Sequence, residues 1–77
     1  MKKQEFIGIL ETEFNVGTHT FNTETVLTEI PDWDSMSILI IMSLVDEHFG
    51  VAITADDFTK IGTIADLFNK IGDAHFE

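Results

Sequence analysis

An all-α fold is predicted, a four-helix bundle in which a long loop follows the first helix and the third helix is short. Apolar residues recur at helical spacing early, midway and late in the chain. Helix-start patterns precede the later stretches, at Asp34-Ser35, Thr54-Ala55-Asp56-Asp57 and Thr63-Ile64-Ala65-Asp66. Gly50 and Gly62 stand where those stretches end or break. With 77 residues and no linker or internal repeat, residues 1–77 are expected to form one domain with a thin core.

Lys2 to Phe14 makes the first helix, because Phe6, Leu10 and Phe14 lie four apart and Ile7 and Ile9 widen the stripe. Asn15 to Asp34 is rich in Thr, Asn, Gly and Asp and contains the only proline, Pro31, so it is a loop with at most a helical turn near Val26-Leu27. Phe21, Val26, Leu27, Ile30 and Trp33 give it enough apolar anchors to pack as an ordered strap. Ser35 to Phe49 is the second helix, closed by Gly50. A short third helix follows Thr54 through about Lys60. The fourth runs to about Ile71, with Ile64, Leu67, Phe68 and Ile71 on one stripe.

The second helix has one apolar face too many. At about 100° per residue, Ile38, Ile41, Met42, Val45 and Phe49 share a core side. Met36, Leu39 and Ile40 fall opposite, among Ser35, Ser43, Asp46 and Glu47. So small a bundle has little room to bury both arcs, so the second is expected to be partly exposed: an apolar strip edged with acid, suited to docking a partner.

Charge sharpens that expectation. Fourteen Asp and Glu face four Lys and no Arg, and no Lys or Arg occurs between Gln4 and Thr59. Such a field repels nucleic acid and anionic membrane and attracts proteins with basic patches. No cysteine is present, which excludes disulfides and thiolate metal sites. The longest apolar run, Ile38 to Met42, is far too short for a bilayer span, and no signal-peptide pattern is visible, so a soluble, cytoplasmic monomer is expected.

Ser35 is the candidate reactive group, a hydroxyl at a helix start where backbone N–H groups and the positive dipole end favour an attached phosphate. As a hydrolytic nucleophile it lacks a partner. His48 lies roughly 20 Å along the same helix, His19 and His75 are distant in sequence, and no Gly-x-Ser-x-Gly elbow exists. Asp32-x-Asp34 opens like a calcium loop, but Met36, Ser37 and Ser43 stand where ligands and a glycine are required, so no metal site is expected. By itself, Asp34-Ser35-Met36 is compatible with a plain helix cap.

Four segments taken together say more: Asp34-Ser35-Met36; Asp46-Glu47-His48-Phe49-Gly50-Val51-Ala52-Ile53; Thr54-Ala55-Asp56-Asp57-Phe58; and Ile61-Gly62-Thr63-Ile64-Ala65-Asp66-Leu67. In order and spacing they resemble an acyl carrier protein, most closely from Pro31 to Ile71. The resemblance implies an acyl-carrier type of bundle in which Ser35 takes 4′-phosphopantetheine from coenzyme A, through a separate phosphopantetheinyl transferase. It implies a protein that is not an enzyme but carries acyl or aminoacyl groups as thioesters on that arm, in fatty-acid, polyketide or related specialised biosynthesis, and is acted on by acyl-loading and acyl-processing enzymes. Asp34 would assist the modifying enzyme and Met36 would meet partners beside the arm. Leu39, Ile40, Asp46, Glu47, Asp56 and Asp57 are the docking candidates, and an interior lined by Ile41, Val45, Phe49, Ile61 and Leu67 would shelter the cargo. Trp33 and Met36 depart from the residues usual in such proteins, and Ile40 stands where relatives in fatty-acid synthesis carry a carboxylate. The alternative is an acidic helical adaptor without a prosthetic group.

Overall fold

The computed structural model describes residues 1–77, and local cap chemistry sets where its helices begin. Helix α1 spans Lys3–Glu13, α2 spans Ser35–Phe49 and α3 spans Ile64–Ile71. At α2 the Ser37 amide donates to the Asp34 carboxylate at 3.1 Å, while the Asp34 amide donates to the Ser37 hydroxyl at 3.2 Å. At α3 the Asp66 amide donates to the Thr63 hydroxyl at 3.2 Å and the Thr63 amide to the Asp66 carboxylate at 3.0 Å. Each pair satisfies amides that a helix start leaves without partners. Gly50 ends α2 in the left-handed region at φ 66°, its amide on the Asp46 carbonyl at 2.9 Å, a conformation that penalises a side chain.

Three α-helices form where four are predicted. The segment after Thr54 is a five-residue 3₁₀ helix, Ala55–Thr59. Its capping box closes as expected, with the Thr54 amide on the Asp57 carboxylate at 2.9 Å and the Asp57 amide on the Thr54 hydroxyl at 3.3 Å. Five residues cannot offset the cost of nucleating an α-helix, so the tighter turn prevails. Further 3₁₀ turns occur at Leu27–Glu29, beside the Val26-Leu27 position where the sequence allows the loop a helical turn, and at Asp73–His75.

Fifteen buried apolar side chains form one core. Phe6, Ile7 and Leu10 come from α1, and Ile64, Leu67, Phe68 and Ile71 from α3, as their spacing predicts. The core face of α2 is rotated from the predicted one. Ile41 and Val45 are fully buried, but Leu44 and Ser37 join them, while Ile38, Met42 and Phe49 are only partly buried. Ser37 can turn inward because the cap already satisfies its hydroxyl.

The long loop packs as a strap. The buried Glu11 carboxylate of α1 accepts from the Phe21 amide at 2.9 Å. The loop then runs beside the start of α3: the Leu27 amide donates to the Gly62 carbonyl at 2.9 Å, the Ile64 amide to Thr25 at 3.0 Å and the Ala65 amide to Thr23 at 2.8 Å. A turn from Ile30 to Trp33 delivers the chain into α2, with the Trp33 amide on the Ile30 carbonyl at 3.1 Å and Asp32 at φ 63° after Pro31. Proline followed by a positive φ is the type II pattern, usually completed by glycine or asparagine.

Aromatic contacts show that α1 and α2 run antiparallel. The Phe6 ring lies 5.1 Å from Phe49 at the end of α2, and the Phe14 ring lies 6.1 Å from Trp33 just before its start. Phe76 closes the former end, with its ring 5.1 Å from Phe49 and 4.8 Å from Phe68.

Candidate functional site

Ser35 is the first residue of α2 and is exposed. The hydrogen bonds at this helix start run between Asp34 and Ser37, and none engages the Ser35 hydroxyl. That separates two roles which the sequence leaves merged: the cap belongs to Asp34 and Ser37, and the hydroxyl between them is free for chemistry. Its backbone is nonetheless well held. Ile41 and Val45 root the same helix in the core, and half-buried Trp33 packs on Phe14 just upstream.

The other candidates divide into separate places. Met36 and Leu39 are exposed at 59% and 52%, as expected for the second arc. Ile40, in the same arc, is half-buried against the core, in keeping with an arc expected to be only partly exposed. Met36, Leu39, Ile40 and Glu47 line one groove together with Ser43, Leu44 and, from α1, Glu13. Asp46 lies apart, in a hollow with Met42, Ser43, Ala52 and Ile53. Asp56 is exposed.

Asp57 is engaged within the fold. Its carboxylate accepts from the Thr54 amide and sits 3.3 Å from the Lys70 ammonium. The Thr54 backbone bond, with the Thr54 side chain and Lys70, holds its pKa below the ordinary aspartate value against a smaller opposing effect of burial. Asp66 is lowered likewise by the amides of Thr63 and Gly62.

Two of the three histidines lie away from Ser35. The His48 ring packs 6.2 Å from Phe6 and the His75 ring 5.9 Å from Phe49, at the far end of α2. No three His, Asp or Glu side chains converge as metal ligands. Ile41, Val45 and Leu67 are fully buried and Ile61 is buried beside them in the same core, with Phe49 packed against it.

Two contributors escape sequence reasoning. Ser37 could have been found, since Asp34-x-x-Ser37 has the spacing of a cap. Glu13 could not, because only the packing of α1 on α2 brings it to the groove.

A helical domain presenting a free serine hydroxyl on a well-capped helix suits covalent attachment of a phosphate-linked group. The family model for the phosphopantetheine attachment site matches residues 4–71, and the chain belongs to that family. No curated protein and no solved structure matches it. Members of the family attach 4′-phosphopantetheine covalently and are carrier domains that interact with phosphopantetheinyl transferases and acyl-processing enzymes. The residues at the α2 start fit such a group: the Ser35 hydroxyl is exposed and unengaged within the fold, and a helix start favours negative charge.

Proposed function

We propose that Ser35 is the attachment point for 4′-phosphopantetheine and that this chain carries acyl or aminoacyl units on it, without catalysing a reaction itself. When bound, the group supplies the terminal thiol that a cysteine-free chain lacks, and it holds the cargo as a thioester. One observation supports this most: Asp34 and Ser37 satisfy each other across Ser35 and leave its hydroxyl exposed.

The chain's own residues have defined tasks in this proposal. Asp34 and Ser37 fix the first turn of α2, and with it the direction in which the Ser35 Oγ leaves the surface. The dipole of α2 stabilises the ester phosphate by about 0.3–1 kcal/mol at an exposed helix start. Met36 and Leu39 offer apolar contact beside the arm, and Glu47, Asp46 and Asp56 draw in basic partners from a distance. Asp57 contributes less to docking than to the fold, because Thr54 and Lys70 occupy its carboxylate.

Apolar Ile40 on the docking helix favours partners in a specialised biosynthetic pathway over the general fatty-acid enzymes. The chain acts as a cytoplasmic monomer in this proposal, and a formal net charge of −10, which opposes self-association, supports the monomer.

Incubation with coenzyme A and a broad-specificity phosphopantetheinyl transferase, followed by intact mass measurement, tests the proposal. The wild-type chain should gain one phosphopantetheine and Ser35→Ala none. A wild-type chain that stays unmodified would leave the acidic adaptor as the better account.

A further inference from the structure

Trp33 is the only tryptophan in the chain and lies two residues before Ser35. From Pro31 to Met36 it is the one side chain that is not exposed; it is half-buried, with its ring 6.1 Å from that of Phe14. Phe14 in turn lies 6.5 Å from buried Phe21, so the indole ends a row of three rings anchored in the core. Its backbone is held as firmly. The Trp33 amide closes a turn on the Ile30 carbonyl at 3.1 Å, and Asp34, at φ −150° and ψ −172°, is extended. An extended residue between them sets the Cα atoms of Trp33 and Ser35 about 7 Å apart.

Two parts of the indole are not used by the fold. Half-burial leaves some of its apolar surface in solvent beside Asp32, Asp34 and Ser35. Its Nε1–H makes no hydrogen bond, and since no buried polar side-chain atom lacks a partner, that N–H faces water. A packing role explains the contact with Phe14 and neither of these.

The group proposed for Ser35 matches both. Directly after its phosphate, 4′-phosphopantetheine has a carbon bearing two methyl groups, then a hydroxyl and an amide carbonyl. The methyl groups favour apolar surface, and the oxygens accept hydrogen bonds. Trp33 offers both on a side chain already fixed by Phe14, so little entropy is lost when the arm meets it. Met36, the other apolar neighbour, is exposed, flexible and without a donor.

We propose that Trp33 is an arm-positioning residue: its indole receives the dimethyl end of the phosphopantetheine, and its Nε1–H donates to the adjacent hydroxyl or carbonyl oxygen. This rests on attachment at Ser35, proposed above. The free swing of the arm then starts beyond the indole rather than at the serine.

The full-length chain, loaded from coenzyme A by a phosphopantetheinyl transferase, is compared by NMR with the unmodified chain. Cross-relaxation should connect the arm's two methyl signals to the indole ring protons, and ring current should move those methyl signals upfield. The indole N–H signal should shift on loading, and tryptophan emission should move several nanometres to shorter wavelength. Ser35→Ala, treated identically, should keep the unmodified spectrum. Loaded Trp33→Leu keeps an apolar side chain on Phe14 and, with wild-type circular dichroism, should return the methyl signals to their positions in free coenzyme A. Methyl positions unchanged by that substitution would overturn the inference. So would arm methyl groups that contact only Met36 or Leu39, or that resemble free coenzyme A in the wild-type chain; either result leaves the carrier function standing. A chain that takes no phosphopantetheine overturns both.

Discussion

Substitutions at Asp34 and Ser35 should have unequal consequences for stability, although the two residues are neighbours. Asp34→Ala removes the acceptor for the Ser37 amide and should cost about 1 kcal/mol in denaturant unfolding. Asp34→Asn keeps an oxygen at the cap and should retain most of that stability. Ser35→Ala should stay within about 0.5 kcal/mol of wild type, because its hydroxyl makes no hydrogen bond in the fold. A large loss in Ser35→Ala would mean that the hydroxyl serves the helix. Glu11 is the other residue whose role is decided by one bond. Its buried carboxylate holds the Phe21 amide, so Glu11→Ala should cost about 1–3 kcal/mol and speed hydrogen exchange at Phe21. Unchanged exchange at that amide would show that the strap does not depend on the bond.

Among the elements, α2 and α3 were the most legible in sequence, for a local reason. Asp34, Gly50 and Thr63 act through bonds to residues three or four positions away, so their patterns fix the helix ends without knowledge of the fold. The loop's buried anchors Phe21, Leu27 and Ile30 were legible too. Three things were not. The short helix after Thr54 has valid cap chemistry but lies at a length where the 3₁₀ form wins. The inner face of α2 is set by what α1 and α3 press against it, which brings in Leu44 and a hydrogen-bonded Ser37 in place of Ile38 and Met42. Phe76 seals an end of the core from outside any periodic stretch. At the site, Ser35 and its cap were written in neighbouring residues, whereas the α1 contribution to the groove was not. Gly50→Ala offers an element-scale check: at φ 66° a methyl group should cost about 1 kcal/mol, read as a lower denaturation midpoint. A neutral result would mean that the α2 terminus tolerates another conformation.

Across the whole molecule, two pH effects of opposite sign compete. The folded pKa values of Asp57 and Asp66 lie below their ordinary value, so the unfolded chain binds protons first as pH falls. Their stabilisation is complete above the ordinary aspartate range and is lost as pH drops through the lowered folded values. Self-repulsion works the other way, since acidification from neutrality removes negative charge from a chain of formal net charge −10. Tm should therefore rise from neutral to mildly acidic pH and fall below the aspartate range. A Tm still climbing there would show that these two carboxylates contribute little. Salt should raise Tm at neutral pH through screening, with a Debye length of about 10 Å at 0.1 M, and divalent cations should raise it further. Indifference to both would show that repulsion does not limit the fold.

Whether the free hydroxyl at the head of α2 is a tether is decided most directly on protein purified from its own host, by tandem mass spectrometry that localises any modification. The account predicts a phosphodiester-linked pantetheine on the peptide containing Ser35, at that residue and not at Ser37 or Ser43. The hydroxyl found bare in every molecule, in cells with an active transferase, would contradict it.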